Sequence, residues 1–142
     1  MISTIISLLF GVLALASPTD KAAITVSITN LRTNAGVMEI SLYNVPETFP
    51  VAGKHFKMVR VPVANPKVTY TFNDLAPGEY AIGLYHDEDS DGKFKTNFIG
   101  YPKEPYGFSN NVKPVIAAPD FEDAKFTAAA GKTVVVEIRL IR

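Results

Sequence analysis

The run Asp87-Glu88-Asp89-Ser90-Asp91-Gly92-Lys93-Phe94 places four carboxylates within five residues. Asp at alternate positions followed by Gly is the opening half of an oxygen-ligand calcium loop. Calcium takes six to eight oxygens at about 2.3–2.6 Å, and carboxylates at the first, third and fifth positions curl around one point when the chain turns tightly. Gly92 permits that turn. The Lys93 carbonyl is the next oxygen in line, with its amine left in solvent, and Phe94 follows as an apolar anchor to the core. Hard oxygen donors select calcium over zinc or copper. An EF-hand would close with a bidentate Glu at position twelve. Counted from Asp87 that position is Phe98, and no helical pattern flanks the loop, so this is not an EF-hand. The missing oxygens are expected from Asn97, close in sequence, and from a second acidic cluster at Asp120, Glu122 and Asp123. The competing reading is a solvated acidic turn in which Asp91-Gly92 reverses a hairpin. Adjacent like charges make such a turn costly. His86 and His55 are read as packing or hydrogen-bonding residues rather than ligands.

A second chemistry-bearing group is aromatic. Phe94, Phe98, Tyr101, Tyr106 and Phe108 fall within fifteen residues and make up a third of the Tyr and Phe of the chain. Tyr101, Tyr106 and Phe108 among Gly and Pro suit a platform for a carbohydrate or a cell-envelope polymer. The plainer alternative is a satellite core under a long loop. No Gly-x-Ser-x-Gly elbow, His-Glu-x-x-His, phosphate-cradling loop or Gly-x-Gly-x-x-Gly occurs. The chain therefore reads as a non-catalytic module. A weak hydrolase at the acidic loop would need two carboxylates facing across a cleft at about 5–9.5 Å.

The elements that must carry these residues read as strands. Ile24–Thr29 alternates apolar and polar residues, Thr33-Asn34-Ala35-Gly36 is a turn signal, and Val37–Tyr43, with Met38, Ile40 and Leu42 on one face, is the expected partner in a first hairpin. His55–Val63 is a weaker strand that Pro62 assigns to an edge or a strand end. Val68–Phe72, Tyr80–His86 and Thr133–Ile141 complete the set, with Val134, Val136, Ile138 and Leu140 inward in the last. Leu75-Ala76-Pro77-Gly78-Glu79-Tyr80 resembles a tyrosine corner, in which the hydroxyl bonds back to the chain. The fold class is all-β: an antiparallel β-sandwich, immunoglobulin-like or prealbumin-like, with a long irregular loop after the fifth strand. That loop, from Lys93 to Lys132, holds Pro102, Pro105, Pro114 and Pro119. Such an excursion is usually functional or needs something to hold it.

Composition sets the outer limits. The 142 residues carry 14 Lys+Arg and 14 Asp+Glu, for a net charge of +0. Neutrality argues against a nucleic-acid partner, which calls for a basic excess, and against electrostatic attachment to a membrane surface. The absence of Cys excludes disulfides, thiol catalysis and thiolate metal sites. Within residues 1–16, the apolar, uncharged stretch from Ile5 to Ala16 ends in Ala14-Leu15-Ala16 and is too short to span a bilayer, the pattern of a cleaved signal peptide over residues 1–16. This predicts a single β-sandwich domain over residues 17–142, periplasmic or secreted, monomeric by preference and detached from the membrane once the leader is removed. No Asn-x-Ser/Thr sequon is present, which fits a bacterial setting.

The run from Leu75 to Asn111 carries a family resemblance. It lies in Leu75-Ala76-Pro77-Gly78-Glu79-Tyr80, His86-Asp87-Glu88-Asp89-Ser90-Asp91-Gly92-Lys93, Thr96-Asn97-Phe98-Ile99-Gly100-Tyr101-Pro102-Lys103-Glu104 and Tyr106-Gly107-Phe108-Ser109-Asn110-Asn111. It continues in Pro119-Asp120-Phe121-Glu122-Asp123-Ala124 and reaches back to Pro46-Glu47-Thr48-Phe49-Pro50. Together these resemble the exported bacterial family called domain of unknown function 2141. The resemblance implies a secreted single β-sandwich with no assigned activity. It carries the pattern of Asp87, Asp89, Asp91, Gly92 and Asn97 without attaching a ligand to it.

Overall fold

A computed structural model describes residues 20–142. The leader read over residues 1–16 and the mature start at Ser17 lie outside them. The described chain forms β1 (Ala22–Thr29), β2 (Val37–Tyr43), β3 (Lys57–Pro62), β4 (Val68–Leu75), β5 (Gly78–Asp87), β6 (Tyr106–Phe108), a short helix α1 (Phe121–Ala124), β7 (Phe126–Ala128) and β8 (Thr133–Arg139). One sheet runs β4-β1-β8. The other runs β3-β2-β5-β6, with β7 pairing the first residues of β5. The two pack face to face as a β-sandwich. No helix of the described residues is long and apolar enough to cross a membrane.

Period-two alternation places the core. Ile24, Val26 and Ile28 of β1 and Ile138 and Leu140 at the end of the chain meet Met38, Ile40 and Leu42 of β2 and Tyr80, Ile82 and Leu84 of β5, all closed to solvent. Each such aliphatic side chain contributes on the order of 1.5–3 kcal/mol, as an upper bound. Tyr80 closes the corner ahead of β5, its hydroxyl donating to the Ala76 carbonyl at 2.6 Å. Pro62 ends β3, which is an edge strand as its proline requires.

Two sequence-based expectations are corrected. β1 and β2 do not form a hairpin. Both sides of β1 are taken, by β4 antiparallel and by β8 parallel, and β2 lies in the facing sheet. Alternation specifies which face of a strand is buried, not which strand lies beside it. Gly36, at φ 81°, carries the chain between the sheets against the end of β5. A Cβ there would lie 2.2 Å from the Asp87 carbonyl oxygen, so only glycine fits the crossing. Phe94, in turn, does not anchor in the core. It is 43% exposed and packs on the outside of the second sheet against Tyr85 and Tyr106.

The excursion between Lys93 and Lys132 contains β6, α1 and β7 and covers part of that outer face. Phe121 and Ala124 of α1 join Phe49, Tyr43 and Ala81 in a second small core, with Phe108 packed against it. Its far half is fastened by the side chains of three consecutive residues. The buried Ser109 hydroxyl accepts from the Ile82 amide at 2.9 Å and donates to the Ala124 carbonyl at 2.6 Å. Asn110 donates to the Asp123 and Lys125 carbonyls. Asn111 donates to the Glu137 carbonyl and accepts from the Arg139 amide at 2.8 Å, tying the loop to β8.

Candidate metal centre

β5 delivers the first acidic residue. His86 points inward, and its Nε2 lies 2.6 Å from the Ala35 carbonyl, the strand-end hydrogen bond expected of it. Asp87 points to the opposite face yet is fully closed to solvent. Register explains this. Glu39 stands between Arg60 of β3 and Tyr85 of β5 on the outer face, so the Arg60 guanidinium spans the strands. Its Nη1 donates to Glu39 Oε2 and its Nη2 to Asp87 Oδ2, each at 2.5 Å. Burial alone would push the Asp87 carboxyl up. Arg60 and the Gly92 and Asp91 amides more than offset it and hold the carboxyl below its ordinary range. Burial pushes the neighbouring Tyr85 hydroxyl up to about 12, despite the Arg60 charge.

The loop then folds back on Asp87. The Asp91 amide donates to Oδ1 at 3.1 Å and the Gly92 amide to Oδ2 at 2.8 Å. Ser90 and Gly92 take the left-handed conformation, at φ 58° and 76°, which winds the turn tightly enough to bring Asp91 over the strand end. Asp91 Oδ1 accepts from the Lys93 amide at 2.9 Å. Beyond it, residues 95–103 make a small ribbon. The Lys103 amide donates to the Lys95 carbonyl at 2.8 Å, Thr96 bridges to Pro102, and Asn97 closes the tip. The ribbon returns Glu104 beside Lys95, where it is buried and its Oε2 accepts the Lys95 amide at 3.0 Å. The His86 amide, donating to the Pro105 carbonyl at 2.8 Å, pins this return to β5.

Oxygens of Asp87, Asp89, Asp91 and Glu104 thereby all lie within 4.8 Å of one another. Two oxygens each about 2.4 Å from one ion are at most about 4.8 Å apart, so the spacing suits a single hard cation. The Lys95 amine contacts both Asp89 and Asp91, the latter at 3.1 Å. Glu88 turns away to a bidentate pair with Arg32. Around this strand end Glu39, Asp87, Glu88, Asp89, Asp91 and Glu104 are met by Arg32, Arg60 and Lys95. The carboxylates outnumber the cations, and the deficit favours a bound positive ion.

Of the residues singled out in the sequence, Asp87, Asp89 and Asp91 come together. Lys93 adjoins them, exposed and donating its amide. Asn97 faces its own tip, where Oδ1 accepts the Ile99 and Tyr101 amides. Asp120, Glu122 and Asp123 do not join the group. Asp120 precedes α1 without a side-chain capping bond, and Glu122 and Asp123 lie in its first turn, where Glu122 pairs with Lys125 at 2.9 Å. Ser109 fixes α1 near Ile82, five residues before Asp87 and so roughly 16 Å away along β5. Tyr106 and Phe108 are half-buried in a chain of edge-to-face rings running from Phe94 to Phe49, and Tyr101 alone of the three stands exposed. Phe108 packs against the second small core, and Tyr106 packs between Phe94 and Phe108. Glu104, Arg60 and Lys95 were not foreseen. The signal for Glu104 was the Asn97–Gly100 turn between short extended segments, which returns the chain beside Lys95. The groove bordered by Asn30 and Arg139 and the groove bordered by Phe94 and Ile116 have no Asp or Glu side chain in their lining.

The family described as "Uncharacterized protein conserved in bacteria (DUF2141)" matches residues 26–136. No curated protein and no solved structure matches.

Proposed function

The chain belongs to the DUF2141 family of bacterial proteins, and on that premise we propose an exported, non-catalytic β-sandwich module whose acidic loop is stabilised by calcium. The observation that carries this reading is the convergence of Asp87, Asp89, Asp91 and the distant, buried Glu104 within 4.8 Å. The group draws in a carboxylate from thirteen residues onward and buries it with the Lys95 amide as its one hydrogen-bond partner, an uncompensated charge that a cation would offset. Calcium entering the group displaces the Lys95 amine from Asp89 and Asp91 and supplies two charges where lysine supplies one. Loop carbonyls and water complete the shell, as in other oxygen sites. What the ion fixes is residues 88–104. The far half of the excursion is already fastened by Ser109, Asn110 and Asn111.

Thermal melts in calcium, magnesium and chelator test the proposal. Calcium at about a hundred times its Kd adds about 2.7 kcal/mol of stability, a rise of roughly 10 °C in the midpoint for a domain of this size. Glu104→Gln weakens the response. Equal midpoints in calcium and chelator overturn the reading. Export rests on the sequence of residues 1–16. N-terminal sequencing of protein recovered from the periplasm or medium tests it, with Ser17 as the expected first residue.

A further inference from the structure

We propose that the loop tips Phe98-Ile99 and Val115-Ile116 form an insertion surface for an anionic phospholipid bilayer, a property independent of the metal reading. Exposure picks these residues out. Phe98 and Ile116 are 100% exposed, Val115 94% and Ile99 74%, whereas no other large apolar side chain of the described residues exceeds 61%. The two tips belong to one surface, since Ile99, Tyr101, Val115 and Ile116 border a single open groove with Lys113 on its rim. A polymer-binding platform presents half-covered ring faces with polar groups beside them. These side chains project fully and offer no polar group, which suits a fluid acyl phase that needs no matching shape.

Two further observations name the occupant. The backbone of the first tip is closed on itself: the Ile99 and Tyr101 amides donate to Asn97 Oδ1, and the Gly100 amide to the Asn97 carbonyl at 3.0 Å. With the Ile99, Gly100 and Tyr101 amides taken within the tip, fewer donors are left open when Phe98 and Ile99 enter an apolar layer. Lys93, Lys103 and Lys113 flank the tips in sequence, and between Lys93 and Ala118 the only acidic residue is the buried Glu104, while the Lys95 amine is taken by Asp89 and Asp91. The neutral total of the chain averages this basic segment against acidic residues placed elsewhere, so the expectation of no membrane partner drawn from net charge does not apply locally.

Vesicle co-sedimentation tests the proposal, using the full chain with phosphatidylcholine vesicles or with equal parts phosphatidylcholine and phosphatidylglycerol, at low and physiological salt. The chain pellets with the anionic vesicles. The F98S/I116S variant, which carries the same N-terminal residues, partitions at least tenfold less with an unchanged melting midpoint. Replacing Lys103 and Lys113 by Gln costs about fivefold for each lysine, an effect that shrinks at higher salt. The proposal is overturned if the wild type stays in the supernatant with both vesicles or if F98S/I116S pellets equally. It is also overturned if, with vesicles ignored, the tips instead mediate self-association or retention on an insoluble polysaccharide.

Discussion

Replacing Asp87 by Asn tests the electrostatic design of the strand end most directly. The native carboxylate accepts from the Arg60 guanidinium and from the Asp91 and Gly92 amides. Asn presents one acceptor oxygen to these donors and adds an NH2 that faces them. Hydrogen bonds to a charged partner contribute about 1.5–3 kcal/mol each, and breaking a deeply buried pair costs about 3–5 kcal/mol. Asp87 is inaccessible but shallow, and the Arg60 side chain is 32% exposed, so the stranded guanidinium recovers much of its solvation. The expected loss is therefore about 2–3 kcal/mol, or roughly 10 °C in the thermal midpoint. The pH dependence gives a sharper readout. The folded-state carboxyl titrates below its ordinary value of 3.8, so its contribution is fully present above about pH 4 and is lost as pH falls through the folded value. The gap between wild type and D87N, followed by urea denaturation from pH 7 downward, holds steady to about pH 4 and then closes. A gap under 1 kcal/mol at pH 7, or one unchanged at pH 2.5, refutes the reasoning.

Other perturbations separate the parts of the structure. Gly36→Ala places a Cβ 2.2 Å from the Asp87 carbonyl in a left-handed backbone and costs more than about 2 kcal/mol; a urea-derived loss under 1 kcal/mol contradicts the tight crossing. Tyr80→Phe removes the bond to Ala76 and costs about 1 kcal/mol, with the calcium-induced rise in melting midpoint unchanged. Asn111→Ala unties the excursion from β8, so limited proteolysis cuts faster between Asn111 and Asp120 while amides of β1 and β2 exchange as slowly as before. Lys95→Met removes the amine that competes for Asp89 and Asp91. It raises calcium affinity by titration calorimetry and lowers the melting midpoint in chelator.

The strands that frame the site were legible because half-buried strands write their burial into period two. Met38, Ile40 and Leu42, and Ile82 and Leu84, fall inward as that pattern requires. Pairing was not legible, because β1 has the same apolar face whether β2 or β8 lies beside it, and the choice is made by contacts more than a hundred residues apart. β6, β7 and α1 are three or four residues long, too short to display any period. The site divided in the same way. Asp87, Asp89 and Asp91 are a local pattern. Glu104 reaches them through a ribbon marked in the sequence only by its Asn97–Gly100 turn, and Arg60 through strand register, which leaves no mark on spacing. Asp120, Glu122 and Asp123 drew attention by charge alone, which marks a solvated helix end as readily as a ligand set.

The parallel partnership of β1 and β8 sets an order of assembly. The two antiparallel partners of β2 and the β1–β4 pair all involve segments from the first two thirds of the chain, but Ala23 meets Thr133 only when the last strand is available. Until then β1 is an edge with a row of unpaired amides and carbonyls beside an open core. Closure of this sheet thus depends on a long-range pairing, the kind of contact associated with slower folding. A chain that loses its last ten residues keeps most of its strands and still presents a sticky, incomplete sheet.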